Sequence, residues 1–439
     1  MYKRQHFNNA LELKPDYPPA LLGLAQIEDE QGNYEKAISL YKHYAINNLN
    51  DITPFIALSE IAKKQNLTDD MLYWLLDARD RFPGDIIPSR SLARYYMNAS
   101  QPVNATKYIQ EALTISPGDS ESLFIYSNIL IAQDQQHEAA AQLNKLLSIT
   151  PDDADALTLS GKLYLDMNLI QSARKNLLTA LNVQAKNALT ISLLAAIELK
   201  ADNYDKSLEY VRTLQNIDPD YHVAYLQEGD IWLKKQDYEK ARIAFEKSWE
   251  KSPSGEAAQK LFSIIIHQDS FDAATKPLLD WLQDNPNDIA SRFYLAYAFQ
   301  SNEQSQLAIN EYEKLLQFSP NDSTILNNLA WLYPLDSPDA LGYAERAYRS
   351  SPDDPGILDT YGWVLTQNGH LVNGRKYLKI AIQKLPDNDE VQFHYATNLV
   401  LSGETESGSE ILKNLIESGR PFNGRQDAIT MLEKLSGNL

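Results

Sequence analysis

Proline recurs in this chain with a period that few folds can accommodate. Pro83, Pro117 and Pro151 are 34 residues apart, and the spacing returns at Pro219–Pro253, Pro286–Pro320 and Pro352–Pro386. Pro15 and Pro151 each precede the next such proline by two periods, with Leu49 and Ala185 standing where the middle one would be. Between prolines the same landmarks return: a large residue followed by a small one, an aromatic, an Ala, and then the Pro. Leu329-Ala330 with Ala347 and Pro352, and Tyr361-Gly362 with Ala381 and Pro386, are two successive copies. A fixed period of this length means one supersecondary unit repeated, each copy burying its apolar face on its neighbours.

Pro18–Asn50 shows what one unit is. Leu21, Leu24 and Ala25 lie at helical spacing, Gly32-Asn33 interrupts them with turn chemistry, and Tyr34, Ala37 and Tyr41 resume the helical pattern. The unit is a helix, a turn and a second helix. Proline at its end stops the second helix, because it has no N–H and clashes with the preceding turn. Asp pairs after it, as at Pro151-Asp152-Asp153 and Pro352-Asp353-Asp354, suit the positive end of the next helix, so we read them as caps and not as metal ligands. Complete units begin near 18, 52, 86, 120, 154, 188, 222, 255, 289, 323, 355 and 389, giving a continuous array over 18–420. Residues 1–17 read as the second helix of a truncated unit, with Phe7 and Ala10 on its buried face, so the chain is expected to open in mid-repeat. Residues 421–439 read as a capping helix with Ala428, Ile429, Leu432 and Leu435 on one stripe. The unit from 323 is short, its turn being Pro334–Pro338. The unit from 188 has Glu198 in place of an aromatic and Ser207 in place of Ala, and is expected to be looser than the rest.

This pattern is that of the tetratricopeptide family, and the resemblance implies an all-α, right-handed α-solenoid of helix-turn-helix repeats. A solenoid of 439 residues forms one body where a globular chain of that length would divide into several domains. The net charge of −19 argues against a nucleic-acid or anionic-membrane surface, which needs clustered Lys and Arg. The absence of cysteine excludes disulfides, thiol nucleophiles and thiolate metal sites. No apolar run approaches the roughly 18–20 residues of a membrane helix. Phosphate-binding, nucleophile-elbow and HExxH motifs are missing, and the seven histidines include no pair at ligand spacing. No enzyme, cofactor or metal is implied. His394 reads as a partly exposed helix histidine.

In tetratricopeptide proteins the first helices line a concave groove, into which the fifth and ninth residues of each unit point. Carried onto this chain, that rule gives two patches. In the units from 86, 120 and 154 they are Arg90 and Arg94, Phe124 and Asn128, then Thr158 and Lys162. Arg90, Arg94, Asn128 and Lys162 resemble the two-carboxylate clamp of chaperone-binding relatives, which implies an acidic peptide held by charge-assisted bonds; Thr158 departs from that pattern. In the units from 289, 323 and 355 they are Phe293 and Tyr297, Asn327 and Trp331, then Asp359 and Trp363. Tyr297, Trp331 and Trp363 would form an aromatic row that either anchors a partner or stacks the units together.

A narrower resemblance rests on Asn327–Trp331, Ala344–Ala347, Asp359–Trp363, Phe393–Ala396 and the closing Phe422 and Ala428–Leu435. These look like the C-terminal end of the tetratricopeptide lipoprotein of the PEP-CTERM/exosortase system. The resemblance implies a scaffold on the periplasmic side of a bacterial envelope, associated with exopolysaccharide and protein sorting, with a lipid anchor upstream. The expected function is therefore binding of protein or peptide partners in the groove, without catalysis. Two other readings fit the same residues: the repeat arm of an enzyme whose catalytic domain lies upstream, and a cytoplasmic co-chaperone-like receptor for acidic peptides.

Overall fold

A computed structural model describes residues 2–437, which form 26 helices and no strand. It divides into two compact units, Met1–Pro219 and Asp220–Leu439, each described here by itself. Within each, helices come in the expected pairs. In the first unit a repeat is Pro18–Glu30 with Tyr34–Asn47, or Ile86–Asn98 with Pro102–Ile115. In the second it is Ile289–Ser301 with Ser305–Leu316, or Pro355–Gln367 with Leu371–Lys384. Tyr2–Leu13 is a single helix ahead of the first pair, and Arg425–Gly437 follows the last. Inside each compact unit a second helix packs on the first helix that follows it, and several successive first helices touch each other directly, as at the repeats from 86 and 120, 154 and 188, and 323, 355 and 389. The first helices of each unit therefore share one side.

Small residues set the closeness of each pair. Ala25 and Ala37 have no exposed surface. The tightest case is the repeat from 355. A Cβ on Gly362 would sit 2.9 Å from the backbone N of Leu378, and one on Gly374 would sit 2.8 Å from the carbonyl oxygen of Gly362. No side chain can yield there, so alanine at either position forces the helices apart.

The second carboxylate of each turn pair is the cap. Asp153 accepts from the N–H of Ala156 at 2.9 Å, and Asp354 from those of Gly356 and Ile357 at 2.9 and 3.0 Å. Such a cap stabilises a helix by about 1 kcal/mol. The turn between the two helices held a surprise. The residue closing the first helix is left-handed at Gly32, Gly369 and Gly403, but equally at Asn66, Ser100, Asp134, Asn168, Asp202, Gln236 and Glu303, with φ of 55–60°. The geometry is that of a Schellman-type close: the N–H of Leu67 donates to the carbonyl of Ala62 at 2.9 Å, one residue beyond the usual helical partner.

The repeat from 188 is not loose. Glu198 is buried and held by Arg174 Nε at 3.1 Å, Lys206 Nζ at 3.4 Å and Asn203 Nδ2 at 2.9 Å, while Ser207 donates to the carbonyl of Ala195 at 2.7 Å. Both polar residues that suggested looseness are thus satisfied, Glu198 by side chains and Ser207 by the backbone. The same arrangement stands five periods earlier, where buried Glu28 pairs with Arg4, with Lys36 at 2.9 Å and with Asn33 Nδ2 at 2.8 Å. Burial alone pushes the Glu28 carboxyl up. The bonds from Arg4, Lys36 and Asn33 outweigh it and hold the carboxyl at about 2.

At the other end, Ala428 is buried, Phe422 packs against Phe393, and Ile429 and Leu432 are half-buried. Arg425 turns back toward the preceding helix. Its guanidinium donates to the carbonyl of Ile416 at 2.9 Å and closes the helix Thr405–Glu417.

Candidate interaction surfaces

The fifth and ninth residues of the repeats do not behave alike. The fifth is wedged between successive first helices: Thr158 is buried, donating to the carbonyl of Ala154 at 2.7 Å and meeting Thr190 Oγ1 at 2.8 Å. The ninth is exposed in half of the repeats, among them those of Arg94, Lys162, Tyr297 and Trp331. This separates the residues of both patches.

In the first patch, Arg90 pairs with Asp119 at 3.1 Å and with Glu121 at 2.8 Å, and Arg94 pairs with Glu121. Burial pushes the Asp119 carboxyl up, but hydrogen bonds from Ser122 and the charge and bond from Arg90 outweigh that and hold it below the usual carboxylate range. The acids that answer these arginines thus come from the next repeat of the same chain. Asn128 donates to the carbonyl of Phe124 at 3.0 Å, and Phe124 lies half-buried against the Leu123–Leu143 cluster. Lys162 is exposed. Only Arg94 and Lys162 project as groove cations, and Arg94 does so with its carboxylate partner attached.

In the second patch the aromatic row is shorter than three rings. Tyr297 is 59% exposed and Trp331 is 37% exposed, but Trp363 is buried. The reason is His394, which is buried as well and not partly exposed. Its imidazole stacks on Trp363 with centroids 4.3 Å apart, leans against Trp331 at 5.7 Å, and meets Asp359 through Nδ1 at 2.9 Å. Asp359 is accordingly buried, a partner of His394 rather than a groove residue. Trp331 is fixed on one edge by its Nε1–H, which donates to Thr360 Oγ1 at 2.8 Å, and leaves its other side open. Phe293 packs edge-on to Tyr312, centroids 5.9 Å apart. Asn327 lies on the same first helix as Trp331, and its Oδ1 is buried without a hydrogen-bond partner among the described residues. The surface that remains is Tyr297 and Trp331. No exposed Lys or Arg occurs on the first helices from Ile289 to Leu401, where the one arginine, Arg292, is buried against Glu311.

Among the described residues no group of three or more His, Asp or Glu could hold a metal ion, and no helix is long and apolar enough to cross a membrane. Of the interactions just described, the sandwich around His394 was missed from sequence. Its signal was the recurrence of Trp at the ninth position in two successive repeats with a His at the sixth position of the next.

Comparison with known proteins agrees with this architecture. The tetratricopeptide repeat family matches residues 4–58. A tetratricopeptide repeat-containing protein of Pseudomonas aeruginosa, PA4667, is 26% identical over 182 residues, which cover 39% of this chain and 30% of that protein. The chain thus matches under a third of the length of that relative. A tetratricopeptide repeat protein of Parabacteroides merdae superposes with a TM-score of 0.50 at 17% identity, over 56% of this chain and 98% of that one. YrrB, a tetratricopeptide protein described as having an unusual peptide-binding site, aligns with a TM-score of 0.37 at 16% identity, over 44% of this chain and 96% of that one.

Proposed function

We propose that this chain, a tetratricopeptide-repeat protein, is a scaffold that binds a protein partner on the first-helix face carrying Tyr297 and Trp331. Arrays of this kind bind peptide or protein partners and have a generally non-catalytic fold. The observation that carries the proposal here is the exposure of two large rings, at 59% and 37%, at corresponding positions of successive repeats, on a face without exposed cations. Aromatic rings that are fixed on one edge and open on the other lose little entropy on binding, which is why they dominate interfaces. Trp363 and Asp359 position Trp331 by holding His394 against it, while Phe293 and Asn327 precede the two rings by one turn on the same helices. The partner is a polypeptide and not a nucleic acid, in keeping with a net charge of −19.

We place the scaffold on the periplasmic side of a bacterial envelope, in a system of the PEP-CTERM type, on the strength of the Asn327–Trp331 and Asp359–Trp363 motifs alone; mapping the native start of the mature protein tests that placement. The binding proposal has its own test. A photo-crosslinking residue at position 297, in cells of the native host, should trap a defined partner, while the same residue at Val372, 84% exposed on a second helix, should not. Equal trapping at both positions, or none at 297, overturns it.

A second reading, an acidic-peptide receptor, is favoured by Arg94 and Lys162 projecting from first helices. It requires a partner carboxylate to displace Glu121 from Arg94, and predicts steeply salt-dependent binding.

A further inference from the structure

Between the repeats from 52 and 86 the packing leaves a cavity of about 240 Å³. Three helices each give one face to it: Thr53–Lys64 and its turn, Thr68–Arg81, and Ile86–Asn98. Its floor is apolar, formed by Met71 and Leu75, both buried, with Tyr95 half-buried at the side. Its mouth is polar, with Lys63 and Arg94 63% and 51% exposed.

The repeat register explains why space is left here. Ser91 occupies the position taken by Ile125, Leu159 and Leu193 in the next three repeats. Thr68 occupies the position of Tyr34 and Ile170. Those larger residues are half-buried or buried in their own repeats, packed into the core clusters there. Two small polar residues facing each other across one interface therefore leave open what its counterparts fill. The cleft is open at its polar mouth, and its apolar floor stays in contact with water until an apolar group covers it.

We propose that this cavity receives an apolar side chain of a partner polypeptide, carried beside an acidic residue. The apolar floor selects the first group. The mouth selects the second: Lys63 faces Glu60 only at 3.7 Å, and Arg94 is paired with an exposed Glu121, so both cations are held by weak surface pairs that a partner carboxylate can replace. The site includes neither Tyr297 nor Trp331; through Arg94 it rests on the acidic-peptide reading above and deepens it by adding an apolar contact. No readout below involves those two rings, so its failure leaves the proposal for their face standing.

The chain has five methionines, and Met71 is on the cavity floor, which provides a local probe. The full-length protein carrying ¹³C-methyl methionine is titrated with Ac-Phe-Glu-NH2, with Ac-Ala-Glu-NH2 and with Ac-Phe-Lys-NH2. The Met71 methyl should shift with the first, and at least tenfold more weakly with the other two, while Met167 and Met431 stay in place. Ser91→Leu introduces the residue that the repeats from 154 and 188 carry at this position; it should raise the melting temperature and abolish the Met71 response. If that variant does not fold, the surface pair Lys63→Glu with Arg94→Glu should lower affinity at least tenfold. The proposal is overturned if Met71 does not respond to millimolar Ac-Phe-Glu-NH2, responds equally to Ac-Phe-Lys-NH2, or responds unchanged in the folded variants.

Discussion

The first helices of the two compact units solve one packing problem with different chemistry. Over residues 86–200 they carry Arg90, Arg94, Glu121, Asp155, Lys162, Glu198 and Lys200, and successive repeats are joined by ion pairs such as Arg90 with Asp119. Over residues 289–401 they carry Tyr297, Trp331, Trp363 and Phe393, and repeats are joined by rings stacked around His394. The repeat fixes where a side chain points but not what it is. Ion pairs at the surface use up the charges that a partner would read. Rings leave one face to the repeat and one to a partner. The second chemistry is therefore the better interaction surface, while the first is mainly adhesive between repeats.

The largest expected effect lies in the aromatic region. Trp363→Ala removes a buried ring and its stack on His394 and should cost about 3–5 kcal/mol in denaturant unfolding. Trp331→Ala, at a partly exposed site, should cost about 1–2 kcal/mol, and Tyr297→Ala within about 0.5 kcal/mol. Equal losses at 331 and 363 would erase the distinction between packing ring and open ring.

Next comes the ionic region. Arg174→Ala strands the buried Glu198 carboxylate with only Lys206 and Asn203, and should cost about 3 kcal/mol. Glu198→Leu, which restores an apolar residue like Leu130 at the same repeat position, should cost less than about 1 kcal/mol. The reverse order would show that the cluster adds net stability instead of merely avoiding a stranded charge.

A pH titration sharpens the same point. The Glu28 carboxyl is held at about 2, below its ordinary 4.5. A carboxylate depressed in the folded state contributes fully above the unfolded value and loses that contribution as pH falls. Local opening of Tyr2–Leu13, which Arg4 ties to Glu28, read as lost hydrogen-exchange protection relative to the intrinsic rate at each pH, should accelerate as pH falls between about 4.5 and 2. Glu28→Gln should accelerate it already at neutral pH and flatten the dependence.

The smallest effects concern exposed features. A double-mutant cycle on Arg94 and Glu121 should give a coupling below about 1 kcal/mol. Glu303→Gly relieves a left-handed residue with φ of 60° and should gain no more than about 1 kcal/mol, since glycine also loosens the unfolded chain.

These residues also mark where sequence reasoning reached and where it stopped. The helix pairs were legible because the proline period and the large-small landmarks report backbone and core constraints, which every repeat shares. The closing residue of the first helix was not, because seven non-glycine residues adopt a conformation that composition assigns to glycine; the Schellman-type bonds compensate for it. The Glu198 cluster was read as weakness because each polar residue was weighed alone. Its signal was present, since Arg4, Glu28, Asn33 and Lys36 recur as Arg174, Glu198, Asn203 and Lys206 five periods later. Of the candidate sites, Tyr297 and Trp331 are where the repeat rule put them, while Asp359 and Trp363 are drawn inward by His394, a contact between repeats that no single-repeat pattern encodes.

The central claim is that the Tyr297–Trp331 face recognises a partner and does not merely hold repeats together. The direct measurement pairs melting temperature with affinity for the partner trapped at position 297, in Tyr297→Ala/Trp331→Ala. The account predicts at least a tenfold loss of affinity with a stability loss well below that of Trp363→Ala. Unchanged affinity, or a stability loss equal to that of Trp363→Ala, would contradict it.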